Sequence, residues 1–363
     1  MSWLSRLLGR KTLSDALREV EAETLAAPAA PSGPRLPDRP DAAPEDWAAA
    51  LGVTLAVLEA AEPAPPSPAE VELAQAVLAH FDAHRPGPAS FPSIALKILD
   101  LVRDPRVDAG ALARNIEQDP ALSAGVLVLA NSAVFRGLDK IETVREAVTR
   151  LGLGEVARLA AALSTRSLFR AGVRAEFELF GPVWNRLYYH GATVARAASE
   201  LARARQLGEP DRVFLGGMLH DVGKSIALRS VAALELEDRI PRLEASAVDR
   251  LLHQVHVQVG AEAHREWGLP PGLASLAEFH HLPEIEAGPA QAELHLVRLV
   301  SALELHRSSP GISPSALPEA LDSARALGLG PARVAALLAT LAETGDWVRM
   351  VFGEESGGPA AAR

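Results

Sequence analysis

From Ser67 onward the chain repeats one local pattern: a capping residue, an apolar stripe at helical spacing and a stop. This repetition limits what the chain can fold into. Ser67-Pro68-Ala69-Glu70 supplies an N-cap, a proline at the first helical position and an early acid, all suited to the positive end of a helix. Asp108 then opens Ala109–Gln118, Asp119-Pro120 opens Ala121–Ala130, and Thr143 opens Val144–Leu151 before Gly152. Alternating β-branched runs are scarce, aromatic residues make up 4% of the chain, and Ala and Leu dominate. The pattern predicts an all-α fold.

The first 67 residues read differently. Ten of the 27 prolines fall between Pro28 and Pro68 among Ala, Asp and Glu, which predicts a linker over residues 26–67. Trp47, Leu51, Leu55 and Leu58 recur at helical spacing inside it and predict a short helix over 45–61. Ahead of the linker, residues 1–25 read as a basic amphipathic helix. In residues 1–11 the apolar Trp3, Leu4, Leu7 and Leu8 can share a helical face while Arg6, Arg10 and Lys11 supply positive charge, a pattern suited to weak membrane-surface contact or to partner docking. Residues 346–363 are expected to form a disordered tail. No apolar run approaches the ~20 residues that span a bilayer, and a cytoplasmic location is expected.

Composition removes several function classes. The chain has no cysteine, so thiolate zinc sites, Fe–S clusters and cysteine nucleophiles are excluded. A net charge of -10 disfavours nucleic acid as a partner, and the Arg-containing stretches 144–158 and 201–206 lack interleaved aromatics.

What remains is a histidine cluster. Seven of the 11 histidines lie between residues 190 and 281, around the run Gly217-Met218-Leu219-His220-Asp221-Val222-Gly223-Lys224. Imidazole and carboxylate suit first-row divalent metals. An ion held this way lowers the pKa of bound water and supplies a nucleophile for phosphorus, and a nearby lysine offsets charge on the phosphate. The plainer alternative is a structural pair, with His220 bonded to Asp221 inside a packed core. Asn131-Ser132 reads as a turn and cap, and Gly216-Gly217 as a point of close helix approach.

Four blocks in order carry a resemblance: Phe91-Pro92-Ser93-Ile94, Gln118-Asp119-Pro120-Ala121, Leu129-Ala130-Asn131-Ser132, and Ile141-Glu142-Thr143-Val144 continuing to Leu151-Gly152. With Leu219-His220-Asp221-Val222-Gly223-Lys224, His256-Val257-Gln258-Val259-Gly260, Trp267-Gly268-Leu269-Pro270 and His280-His281, the chain resembles the HDOD family over roughly residues 75–310. The resemblance implies a two-lobed helical module, here residues 68–178 and an HD-like lobe over 179–345. It also implies a regulatory role in bacterial signalling, with kinship to HD and HD-GYP metal-dependent phosphohydrolases.

By that resemblance His190, His220 and Asp221 are candidate metal ligands, with His256, His280 and His281 as candidates for a second ion. Lys224 and Asp221 are the candidate catalytic pair. His256 is preferred over His253 because a glycine follows it four residues on. His280 and His281 diverge by about 100° on a regular helix and are expected at a helix end. The implied cofactor is a divalent ion: Fe, Mn, Zn or Mg. Two departures stand out. The acid that closes an HD set is expected near Ser301-Ala302-Leu303-Glu304, its position is assigned to Leu303, and Glu304 is expected to face elsewhere. The Asp-Gly-x-Gly-Tyr-Pro element of HD-GYP enzymes is missing after His281. The leading expectation is a non-catalytic signalling module that binds a protein partner or a small ligand. The alternative is a metal-dependent phosphohydrolase acting on a nucleotide-like phosphoester through His220 and Asp221.

Overall fold

The computed structural model describes residues 38–58, 65–132, 134–135, 139–282, 291–308 and 316–353, and among them the regular structure is helical with no strand. Helices α1 (Pro44–Leu51), α2 (Leu55–Leu58) and α3 (Pro68–Ala83) come first. A group of short helices follows: α4 (Ile94–Leu101), α5 (Ala109–Ile116), α6 (Pro120–Ala130), α7 (Val144–Leu151) and α8 (Leu153–Thr165). The remainder holds α9 (Arg174–Arg205), α10 (Pro210–Leu219), α11 (Val222–Leu236), α12 (Ala245–Glu266), α13 (Pro271–Phe279), α14 (Gln291–Ser308), α15 (Ala316–Ala326) and α16 (Pro331–Phe352).

The caps legible in the sequence set the helix starts. Ser67 Oγ accepts from Glu70 N at 3.3 Å while the Glu70 carboxylate accepts from Ser67 N at 2.9 Å, which satisfies two backbone donors that a helix start leaves without partners. Asp108 accepts from Ala111 N at 2.7 Å, Asp119 from Ala121 N at 2.9 Å, and Thr143 from Glu146 N at 3.1 Å. Asn131 fastens the loop after α6: its amide donates to Leu127 O and Ile141 O and accepts from Ile141 N.

Helix α9, 32 residues long, is the spine against which α10, α11, α14 and α16 pack. The short helices gather around α8, which lies on α4, α6 and α7 and also reaches α10. An ion network crosses this junction: Glu155 of α8 accepts from Arg158 and from Arg196 of α9 at 2.9 Å each, and the Arg196 guanidinium lies 3.7 Å from the centre of the Trp347 ring.

Four expected features of the domain division are placed differently by the described residues. Helix α3 was expected with the first lobe, yet it packs on α11 and α12 of the second, with Arg250 of α12 donating to Glu70 at 2.9 Å. Within the expected linker, α1 docks on α16, with Trp47 fully buried and His306 donating to Leu51 O at 3.1 Å. The expected helix over 45–61 is broken at Gly52, whose φ of 67° ends α1 in the left-handed region. The expected tail from residue 346 is helical to Phe352, because Val348, Val351 and Phe352 are buried. The proposed N-terminal helix over 1–25, residues 59–64 and residues 354–363 lie outside the described residues. No helix among the described residues is long and apolar enough to cross a membrane.

Candidate metal centre

His220 and Asp221 occupy the break between α10 and α11. The His220 amide donates to Gly216 O at 2.8 Å and completes α10, and the Lys224 amide donates to Asp221 O at 2.9 Å and opens α11. Asp221 stands at the N-cap position of α11 yet its side chain caps nothing. Its carboxylate is buried beside the positive end of that helix and faces the histidines instead.

All six sequence-predicted ligands meet there. His190 comes from α9, His256 from α12, and His280 and His281 from the end of α13. His190 Nε2 and His220 Nε2 each lie 3.5 Å from Asp221 Oδ2. His256 Nε2 lies 3.4 Å and His280 Nε2 3.5 Å from Asp221 Oδ1. The residues form two groups that share Asp221: one with His190 and His220, the other with His256, His280 and His281. Within each group one ligand atom per residue lies within 4.8 Å of every other. Because α13 ends at Phe279, the adjacent His280 and His281 escape the divergence of a regular helix and their ring centres are 4.1 Å apart.

The approach of four helices rests on glycine. A methyl group on Gly223 would lie 2.0 Å from His256 O and 2.6 Å from Gly260 N, so α11 and α12 cross backbone to backbone at this point. On Gly217 it would lie 2.7 Å from Ala195 Cα, which brings α10 equally close to α9. Short side chains such as Asp and His meet only at such distances.

The outer nitrogens of the rings decide what the inner ones can do. Nδ1 of His220 donates to Gly217 O at 2.8 Å, Nδ1 of His256 to His253 O at 2.9 Å, and Nδ1 of His280 to Ala277 O at 3.0 Å. A carbonyl only accepts, so each of these neutral rings carries its hydrogen on Nδ1 and presents a bare lone pair at Nε2. His281 Nδ1 is engaged by the Glu319 carboxylate at 2.9 Å, and its Nε2 is buried without a hydrogen-bond partner. Asp221 Oδ1 is likewise buried without a hydrogen-bond donor, while Oδ2 accepts from Lys224 Nζ at 2.6 Å. His256 Nε2 and His280 Nε2 face each other at 3.4 Å. Bare acceptors packed this closely, with no donor of the described residues between them, match the donor set of a divalent cation.

Electrostatics agrees with the geometry. Burial opposes the charge of Asp221, but Lys224 and His220 outweigh it and hold the carboxyl well below its usual range. Burial pushes His220 and His256 well below their usual value, His280 to about 4 and His281 to about 3. His190 is the exception: burial again disfavours its charge, but Glu304 and Asp221 win and raise it to about 9.

Glu304 is therefore a correction. It was expected to face elsewhere, and it accepts from His190 Nδ1 at 2.5 Å. Leu303, assigned the place of the closing acid, is fully buried in the hydrophobic core. The residue at the centre is Ser301, whose hydroxyl lies 3.0 Å from His220 Nε2 and 3.3 Å from His190 Nε2. Residues 301 and 304 share a helix face, whereas residue 303 is rotated about 200° from 301. Sequence reading also passed over Glu319, which orients His281 from α15. His253 sits at the edge, its ring centre 5.6 Å from that of His256, and belongs to neither group. His264 is a buried core residue beside Trp267.

Comparison with known proteins bears on the fold and the family. The model of the HDOD domain matches residues 89–283, more than half of the chain, and the protein belongs to the HDOD family. An uncharacterized protein of Treponema pallidum (strain Nichols) is 25% identical over 201 residues, covering 52% of this chain and 37% of that relative, so the chain spans just over a third of its length. Two solved structures share the fold. One, from Shewanella amazonensis SB2B and provisionally named a metal-dependent phosphohydrolase, is 20% identical with a TM-score of 0.55, covering 77% of this chain and 99% of its own. The other, an HDOD domain protein of unknown function from Geobacter sulfurreducens, is 23% identical with a TM-score of 0.54, covering 78% and 99%.

Proposed function

We propose that this protein is a regulatory module of the HDOD type that holds a divalent metal ion on Asp221 and reports its state to a signalling partner, without turning over a phosphoester. The observation that carries the metal reading is the surplus of acceptors at Asp221: its Oδ1 and the Nε2 atoms of His256, His280 and His281 have no donor to share among the described residues. A set of three imidazoles and one carboxylate suits Zn, Fe or Mn better than Mg, which favours oxygen. Asp221, His256, His280 and His281 would hold the ion, and when bound it would supply Lewis acidity at a buried site.

Two features support a regulatory role over hydrolysis. A neutral hydroxyl, Ser301, rather than an acid meets His190 and His220. Lys224, the group that would meet a phosphate, is bonded to Asp221 instead. The phosphohydrolase reading keeps one observation in its favour. Lys224, His281 and His253 lie at the less buried rim of the cluster, where a phosphoester would approach.

The test is metal analysis of protein purified anaerobically without chelator, beside Asp221→Asn, followed by a phosphoester screen with the metal restored. The expected result is metal at about one equivalent or more in wild type, little in Asp221→Asn, and no turnover. Folded wild type that takes up no offered metal would end the metal reading. Metal-stimulated turnover lost in Asp221→Asn would replace the regulatory reading with the hydrolase.

A further inference from the structure

We infer that the ion occupies only one half of the cluster, on Asp221 Oδ1 with His256, His280 and His281, and that Ser301 keeps the His190–His220 half closed to metal. The inference rests on the metal-binding reading above and goes beyond it by naming a residue that excludes a second ion.

The two halves share one carboxylate but not the same oxygen. Oδ2, which faces His190 and His220, already accepts from the Lys224 ammonium at 2.6 Å. Oδ1, which faces His256 and His280, has no hydrogen-bond partner among the described residues. Asp221, the carboxylate shared by both halves, therefore presents a neutralised oxygen to one and a bare oxygen to the other.

The hydroxyl count points the same way. Ser301 Oγ carries one donor and two acceptor lone pairs. Given to His220 Nε2 at 3.0 Å, its hydrogen occupies that lone pair, and the oxygen then faces His190 Nε2 at 3.3 Å. The chain Glu304–His190–Ser301–His220–Gly217 O is thus continuous, with a hydrogen bond at every link. An ion entering there would break two of these bonds and gain no further anion. In the other half no hydroxyl or ammonium of the described residues stands between the rings, and two imidazole nitrogens face each other at 3.4 Å. Glu304 behind His190 and Glu319 behind His281 orient one ring on each side, so supporting carboxylates do not distinguish the halves. The serine and the lysine do. Two divalent ions would also set four positive charges around one carboxylate that already faces an ammonium, at separations where such repulsion is strong.

Ser301 is accordingly the residue that sets the stoichiometry. Ser301→Asp gives the His190–His220 half its own anion and removes the hydroxyl that links the rings, so it should convert a one-ion protein into a two-ion protein.

The experiment uses the full chain, stripped by chelator and reloaded with Zn2+, with Co2+ as a second probe. Anomalous scattering at the metal edge locates the ion in wild-type crystals without any substitution, and metal analysis counts it in solution. The expected result is about one equivalent, placed among His256, His280 and His281. His256→Gln should lose it, His190→Gln should retain it, and Ser301→Asp should bind about two equivalents. An ion found between His190 and His220, or two equivalents in wild type, overturns the inference while leaving metal binding intact. No ion with either probe overturns the metal-binding reading and this inference with it.

Discussion

Asp221 serves two sets of imidazoles with one carboxylate, and its neighbours make its two oxygens unequal. Behind one of these imidazoles stands Glu304, paired with His190 deep in the protein. Its effect has a definite pH sign. His190 has a folded pKa of about 9 against about 6.5 when unfolded, so the pair stabilises the metal-free fold fully below about pH 6.5, and that contribution is lost as pH rises through about 9. Glu304→Gln should therefore lower the unfolding free energy of the metal-free protein by about 2 kcal/mol near pH 6 and change it little near pH 10. Urea titrations at both pH values measure this, and an equal loss at both would show that His190 does not depend on Glu304 for its charge. The histidines were legible because imidazole beside Asp is chemically distinctive. Ser301 was not, because a neutral hydroxyl in a helix carries no ligand signature, and its meaning arises only from the two rings it separates.

At the level of helices, the site depends on two crossings that tolerate no side chain. Gly223→Ala would drive a methyl group into the backbone of α12 at His256, and backbone cannot rotate aside as a side chain can. The expected cost is about 1–3 kcal/mol, with a loss of metal retention because His256 and Asp221 are pushed apart. Thermal denaturation with metal analysis of the same samples checks both parts. A variant of unchanged stability and metal content would refute the close crossing. The glycine four residues after His256 was visible in the sequence, but which helix it met was not. The helix starts were readable from Ser67, Asp108, Asp119 and Thr143, since capping is a local interaction between neighbours in the chain.

Across the whole molecule, the buried neutral histidines make stability depend on pH. His264 and His280 have folded pKa values of about 4 and His281 of about 3, each below the unfolded value near 6.5. Between these values the unfolded chain binds protons that the folded one does not, so stability rises with pH and is lost as pH falls from about 6.5 toward about 4. Each such group contributes a slope of up to about 1.4 kcal/mol per pH unit. The urea midpoint of the metal-free protein should fall steadily across this window with an unchanged m-value, and bound metal should leave over the same range because its ligands must be neutral. A midpoint that stays flat down to about pH 4.5 would mean that these rings are solvated.

The sequence by itself determined the helical class, the places where helices begin, the family and the residue types able to hold a metal, because caps, periodicity and side-chain chemistry act over a few residues. It also singled out Trp47 as part of an apolar stripe in a proline-rich region. Only the tertiary structure decided that α1 is docked on α16, that α3 belongs with α11 and α12, and that the last helix reaches Phe352. Burial of an apolar face depends on which partner surface is left uncovered, and that is set by the whole fold. The same holds at Asp221. The direction of Glu304, the place of Ser301 between two rings and the inequality of the carboxylate oxygens follow from where four helices cross, far apart along the chain.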